Sequence, residues 1–335
     1  MRLIDLHVDW LLQYAPESSV FPAEHYPGVS AQLGQAEAYL QSAHAAIVAC
    51  YRSTEDWATR ADPWAALGEL IARVEAEFSG RLLIGPDDLD RWLDDPDGLC
   101  WGVLGIEGFD SLIRTPADLA YLPRLFERGV RLFQPVYAPT SLLGGSSVPG
   151  DDRTLTGLGR DFLETLLAAV PEGPGPRPLL DLAHLNPATA SDVLDWFEAG
   201  AGRARRLLPI YSHGAPARDD FATPRAITPD NLARLRALGG FVGLGVSPPF
   251  FRHPDQIRAA VEAVARIPFL GREGVDGIAI GTDFLGVSRT LPGLANAPEV
   301  LAWIGASFDI ATASAIARDN ALGLLREVAG GGRAY

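Results

Sequence analysis

Short apolar runs alternate with longer stretches in which apolar residues recur every three to four positions, and this alternation continues along the whole chain. The short runs fit buried strands and the longer stretches fit crossover helices, because strand side chains alternate faces while a helix face returns about every 3.6 residues. Eight strands are predicted: Leu3–His7, Ala45–Cys50, Leu99–Glu107, Val130–Val136, Pro178–His184, Leu208–His213, Phe241–Val246 and Gly277–Asp283. Helical patterns cover Trp64–Phe78, Pro116–Arg128, Asp161–Ala169, Pro187–Ala199, Pro229–Leu238 and Asp255–Ile267. Asn186-Pro187 and Thr228-Pro229-Asp230 have the form of helix starts, a capping polar group followed by proline in the first turn. Phe308–Val328 reads as a closing helix and Gly330–Gly332 as a frayed tail.

Strands joined by crossover helices pair in parallel. Eight of them without a break in composition predict an α/β chain folded as one (β/α)8 TIM barrel, a single domain over residues 1–335; a doubly wound sheet is the alternative. Two Gly/Pro/Ser-rich segments, 139–160 and 287–298, follow strands four and eight and are expected as rim or lid loops over the C-terminal mouth. Glu172–Pro176 reads as a connector at the opposite end.

Composition narrows the function. Of 335 residues, 47% are apolar and 21% charged, the balance of a globular protein with a sizeable core. A formal charge of −14 argues against nucleic-acid and anionic-membrane partners, which want a basic face. Cys50 and Cys100 both sit in apolar runs and are expected as buried thiols. Strand one starts almost at Met1, which leaves no room for a signal peptide, and no apolar run reaches membrane-spanning length, so a cytoplasmic protein is expected. All 28 basic residues are arginine, which removes Schiff-base lysines, lysine phosphate loops and carbamylated-lysine metal bridges.

The reactive side chains fall at the C-terminal ends of the predicted strands, where barrel active sites form. His7 and Asp9 close strand one, Glu107 strand three, His184 strand five, His213 strand six and Asp283 strand eight. Three of the six histidines therefore end strands; His25, His44 and His253 fall in loop or helical contexts and are expected as non-ligands. Taken singly, each site residue has a plainer use, as a core histidine, a helix-capping acid or a hydrogen-bonded buried group. Taken together, three imidazoles and two or three carboxylates suit zinc, with manganese or cobalt as substitutes. Five ligands are about right for two ions sharing a bridge, and Glu107 is the natural bridge in a lysine-free chain. Asp283 is placed to shuttle a proton to a leaving amine. Asp5 and Asp181 are expected as hydrogen-bonding supports rather than ligands.

Seven ordered pieces of the chain resemble the membrane (renal) dipeptidase family, the M19 metallopeptidases among the amidohydrolase-type barrels. They are Asp5-Leu-His-Val-Asp9, Gly28-Val-Ser-Ala-Gln32, Gly105-Ile-Glu-Gly108, Leu180-Asp-Leu-Ala-His184, Tyr211-Ser-His213, Arg225 with Ile227-Thr228, and Gly281-Thr-Asp-Phe284. The resemblance implies two Zn2+ ions, with His7 and Asp9 on one, His184 and His213 on the other and Glu107 bridging. It also implies Asp283 as proton shuttle and Arg225 as the group that takes the substrate's carboxylate. The chain departs from the family pattern at Tyr137, which stands where a histidine contacts the scissile carbonyl, and at Phe109 and Leu285.

The function expected is a zinc-dependent dipeptidase acting on a small-molecule dipeptide, with L-Xaa-D-Xaa substrates included and a homodimer as the family-level assembly. Two other readings stay open: a metal-dependent hydrolase of another small amide, lactone or ester, and a non-catalytic barrel that keeps its metals for stability.

Overall fold

A computed structural model describes residues 1–10, 36–51, 60–95, 97–110, 112–219, 221, 223–248, 250–287 and 289–331. The sequence motif 28–32, His25 and Gly332 lie outside the described residues. Eight parallel strands close in chain order: β1 (Leu3–Val8), β2 (Ala43–Cys50), β3 (Trp101–Glu107), β4 (Leu132–Gln134), β5 (Leu179–Asp181), β6 (Leu208–Tyr211), β7 (Phe241–Leu244) and β8 (Ile278–Ile280). Asp5 of β1 pairs with Ile280 of β8. That pairing makes the sheet a barrel and excludes the doubly wound alternative, in which the edges stay open.

Helices stand around the strands. They are α1 (Ala36–Ser42), α2 (Pro63–Glu77), α3 (Pro86–Leu93), α4 (Tyr121–Glu127), α5 (Gly157–Ala169) and α6 (Pro187–Ala199), followed by α7 (Arg203–Arg206), α8 (Pro229–Ala237), α9 (Pro254–Ala265), α10 (Ala297–Ser307), α11 (Ile310–Ser314) and α12 (Asn320–Val328). Alternate strand positions such as Ile4 and Leu6, Ala45 and Ile47, and Leu208 and Ile210 join one buried cluster. The intervening Ala46, Val48 and Leu180 join a larger one with Ile71, Phe162, Val193, Leu232 and Val261 of the helices. The pleat thus feeds a filled barrel interior and a strand–helix layer from the same strands.

The two proline-marked helix starts are formed as the sequence implies. Asn186 Oδ1 accepts from Thr189 N at the head of α6, and Thr228 Oγ1 from Asn231 N at the head of α8. Other boundaries differ. The 139–160 segment ends at Thr156, whose hydroxyl accepts from Gly159 N and starts α5 four residues before the expected helix. The 287–298 segment ends where Asn296 caps α10, a helix the sequence pattern did not reveal because its apolar residues nearly surround it. His44, expected in a loop or helix, is buried within β2. The closing helix contains a π turn at Ala315–Asp319. Gly330 and Gly331 are not frayed: Gly330 has φ 88° and the Gly331 N–H donates to Arg326 O, which closes α12 in a Schellman-type cap.

β6, β7 and β8 approach closely at one point. A Cβ on Gly243 would lie 1.8 Å, and one on Gly281 1.9 Å, from the carbonyl oxygen of Ser212. Neither oxygen nor strand backbone can move without shifting the neighbouring His213 and Asp283, so Gly243→Ala and Gly281→Ala are each expected to destabilise the protein by about 3 kcal/mol. Urea unfolding measures this; an unchanged midpoint for both variants would refute the tight strand spacing.

Candidate metal centre

His7, Asp9, Glu107, His184, His213 and Asp283 lie at strand exits, whereas Arg225 comes from the loop that follows β6. β1 shifts register against β2 between Asp5 and Val8, at the point where the chain turns His7 and Asp9 to the mouth. Glu107 is the last residue of β3. His184 and Asp283 leave β5 and β8 with φ of 65° and 60°, a left-handed backbone that costs a non-glycine residue roughly 1–2 kcal/mol. Neighbouring strands and loops hold both turns: Ser147 N donates to His184 O, and Asp283 N to His7 O. The first of these also pins the rim segment to the mouth, together with Asn186 Nδ2 donating to the Asp151 and Arg153 carbonyls.

The side chains converge on Glu107. His7 Nε2 lies 3.4 Å from Glu107 Oε2, 3.5 Å from Asp9 Oδ1 and 4.0 Å from Asp283 Oδ1. His184 Nε2 lies 3.1 Å from Glu107 Oε1 and 3.1 Å from His213 Nε2, which is itself 3.9 Å from Oε1. All six groups are buried. Two compact ligand sets result, His7/Asp9/Glu107 and Glu107/His184/His213, each with one donor atom per residue inside 4.8 Å, and Glu107 belongs to both. A third grouping, His7/Asp181/His213, is of this size too. Asp181, however, already accepts from Ser212 N, Ser212 Oγ and Ala183 N.

The donor set fits cations. Among the described residues no hydrogen bond of ordinary geometry reaches either ring nitrogen of His7, Oδ1 of Asp9 or Oε2 of Glu107. Buried polar atoms seldom remain so. The protonation balance carries the same strain. Burial works against the Glu107 carboxylate, but His7 and His184 outweigh it and hold the group well below the usual range. Burial raises Asp9 well above its ordinary value, and the Glu107 charge adds to this. Burial and the Arg225 guanidinium lower His184 to about 3, and burial with the nearby His7 lowers His213 well below normal. His184 and His213 are therefore neutral, the form that ligates a metal.

Supports surround these groups. His213 Nδ1 is 2.9 Å from Ser212 Oγ, which donates on to Asp181. Asp5 accepts from His7 N, Tyr39 Oη, and both N and Oγ1 of Thr282. Asp5 and Asp181 thus have the supporting role expected, fixing ligand orientation. Tyr39 and Asp110 were not singled out by the sequence. Asp110 holds the β4 exit by accepting from Tyr137 N and Ala138 N, and no local sequence signal announces it.

Arg225 reaches the mouth, but its fork lies on imidazoles: Nη1 is 2.8 Å from His184 Nδ1 and Nη2 3.1 Å from His213 Nε2. Tyr137 stacks on His184 with ring centroids 4.2 Å apart. Phe109, one of the departures from the family pattern, packs on Phe133 and Phe162 in the strand–helix layer. His253 is exposed and caps α9.

The sequence model of the family described as Membrane dipeptidase (Peptidase family M19) matches residues 94–333. The chain belongs to the membrane dipeptidase family, peptidase family M19. As an M19 member it is a metal-dependent hydrolase. No curated protein matches the chain. Among solved structures it is similar to the dipeptidase AC, a family M19 metallopeptidase (19% identity, 98% of this chain and 99% of that chain, TM-score 0.71). It is also similar to a metallopeptidase from Rhodobacter sphaeroides liganded with a phosphinate mimic of the dipeptide L-Ala-D-Ala (19%, 98% and 99%, 0.69). An amidohydrolase from Pseudomonas aeruginosa is similar over the same span (17%, 98% and 97%, 0.64). At these identities the likenesses show the shared barrel fold. Among the described residues no helix is long and apolar enough to cross a membrane.

Excess zinc added to chelator-treated M19 chain is expected to raise the unfolding temperature, since binding to the folded state at a thousandfold Kd contributes about 4 kcal/mol. His7→Ala and His213→Ala should each diminish the gain. A melting temperature indifferent to chelator and zinc would contradict the ligand sets.

Proposed function

We propose that the protein is a zinc-dependent dipeptidase that holds two ions, His7 and Asp9 on one, His184 and His213 on the other, with Glu107 across both. The observation that carries the reading is the pair of buried ligand sets meeting on one carboxylate, in a chain of the M19 family. When bound, such a pair of ions supplies a hydroxide-like nucleophile at neutral pH and polarises a carbonyl.

The chain's own groups then divide the remaining work. Hydrolysis adds the oxygen of water to the acyl carbon and a proton to the amide nitrogen as the C–N bond breaks. Asp283, 4.0 Å from His7 Nε2 and buried, takes the water proton and returns it to the leaving nitrogen. Arg225 has the two-pronged fork that matches a free carboxylate, and it turns from the imidazoles to the substrate's C-terminus. The Phe250 ring, 5.2 Å from the guanidinium carbon, backs it with an apolar wall. Tyr137 contacts the scissile carbonyl where the family has histidine. The phosphinate mimic of L-Ala-D-Ala in the Rhodobacter sphaeroides structure makes L-Xaa-D-Xaa dipeptides the first substrates to try. The same reading takes residues 1–335 as one cytoplasmic barrel domain, with a homodimer as the assembly to look for.

The Tyr137 substitution favours a second reading, the same centre acting on another small amide, lactone or ester. A non-catalytic, metal-stabilised barrel is disfavoured by Asp283, an acid held buried beside the ligands without being needed in either ligand set.

Elemental analysis of zinc-loaded protein should return two ions per chain, and a panel of L-Xaa-L-Xaa and L-Xaa-D-Xaa dipeptides should include substrates; cleavage of lactones or acylated amines alone would select the second reading. Asp283→Asn should lower kcat by about a thousandfold with metal content unchanged, and turnover surviving in that variant would remove its role. Burial pushes Asp283 up to about 6 against the pull of His7. Because the carboxylate form accepts the proton, kcat/KM should decline as pH falls through that value or, with cations bound nearby, a lower one; a rate still rising below pH ~4 would contradict the assignment. Arg225→Met should raise KM by an order of magnitude or more, with kcat changed less.

A further inference from the structure

Tyr51 directly follows the last residue of β2, so it stands at the C-terminal mouth beside the exits of β1 and β3. It is 4% exposed, and its ring lies 4.6 Å from that of Tyr137, inclined by 43°. Tyr137 in turn lies against His184. The buried Tyr51 hydroxyl leans towards the Tyr137 phenol without a hydrogen bond of ordinary geometry, has no other such partner among the described residues, and has Glu107 and Asp9 nearby. A buried hydroxyl without a well-aligned acceptor keeps donor capacity unused. Here it points to an acceptor that arrives from outside.

The chemistry of that acceptor follows from the surroundings. Two phenols side by side are neutral donors; the Glu107 and Asp9 carboxylates near both disfavour an anion already formed, while the Arg225 guanidinium near Tyr137 favours charge that develops there. The arrangement therefore suits an oxygen that is neutral on arrival and gains charge during reaction. The carbonyl oxygen of an amide has that property and accepts two hydrogen bonds, whereas the amide N–H has none to accept. Tyr137 is held for the task from behind, its backbone N–H and that of Ala138 both tied to Asp110.

We infer that Tyr51 and Tyr137 form a pair of neutral donors that together bind the carbonyl oxygen of the scissile amide, so that Tyr51 is a substrate-contacting residue and two phenols replace one imidazole. The inference rests on the reading of the site as a hydrolase of small amides. No proton leaves either phenol. The hydrogen bonds strengthen as the oxygen gains charge, and proton transfer stays with Asp283.

The test uses zinc-loaded full-length protein and its best dipeptide substrate. Tyr51→Phe keeps the ring and removes the donor, so kcat should fall about 10- to 100-fold while KM stays within about threefold. Affinity for a phosphinate dipeptide mimic should fall in step with kcat, while zinc content stays at the wild-type value and the melting temperature does not fall. The double variant with Tyr137→Phe should lose less than the product of the single losses, because the two donors serve one oxygen. Tyr51→His, which keeps a donor, should recover part of the rate lost in Tyr51→Phe and stands in if the latter fails to fold. Unchanged kcat in Tyr51→Phe, or a loss that follows zinc content, overturns the inference and leaves the dipeptidase reading standing. If the wild-type protein cleaves no small amide, both are overturned.

Discussion

A single buried carboxylate, Glu107, faces three imidazoles across distances of 3.1–3.9 Å, and the rest of the mouth is arranged around this contact. A carboxylate removed from water is costly unless positive charge or a cation is supplied nearby. The imidazoles alone are a poor supply, since two of the three are driven neutral by burial and by neighbouring charge. The unsatisfied oxygen of Glu107 and the unbonded nitrogens of His7 express that shortage. A cation held beside Glu107 would resolve it, in keeping with the two candidate ligand sets that meet there.

The barrel makes such a concentration of charge tolerable by holding every strand exit from more than one side. Asp5 ties β1 to the β8 exit through Thr282, and Asp181 ties β5 to the β6 exit through Ser212. Gly243 and Gly281 let β6, β7 and β8 close on the Ser212 carbonyl. Within this frame His184 and Asp283 can be kept in left-handed backbone conformations that a looser strand end would relax. Ligand geometry is thus a property of inter-strand contacts more than of the loops that carry the ligands.

The departures from the family pattern do not weigh equally. Phe109 turns into the strand–helix layer against Phe133 and Phe162, so its difference is one of packing. Leu285 is buried with φ 67° next to the Asp283 turn, which makes it part of how β8 leaves the barrel. Tyr137 alone meets a ligand, through its stack on His184, and it brings Tyr51 with it.

Much of this was legible along the chain. Apolar periodicity marks eight strands, and the reactive residues stand at strand ends because a strand places its last side chains where the pleat runs out, a local property readable from spacing. The lysine-free composition likewise singles out Glu107 as the bridging candidate. By itself, then, the sequence determined the order of elements, the types of reactive side chain and the end of the barrel on which they gather. Tertiary structure alone decided that Tyr51 faces Tyr137, that Asp110 clamps the β4 exit, that Arg225 lies on two imidazoles and that Phe109 packs on Phe133 and Phe162. Each of these depends on the closure and register of strands far apart in the chain, and no periodicity within one segment encodes a distance to another.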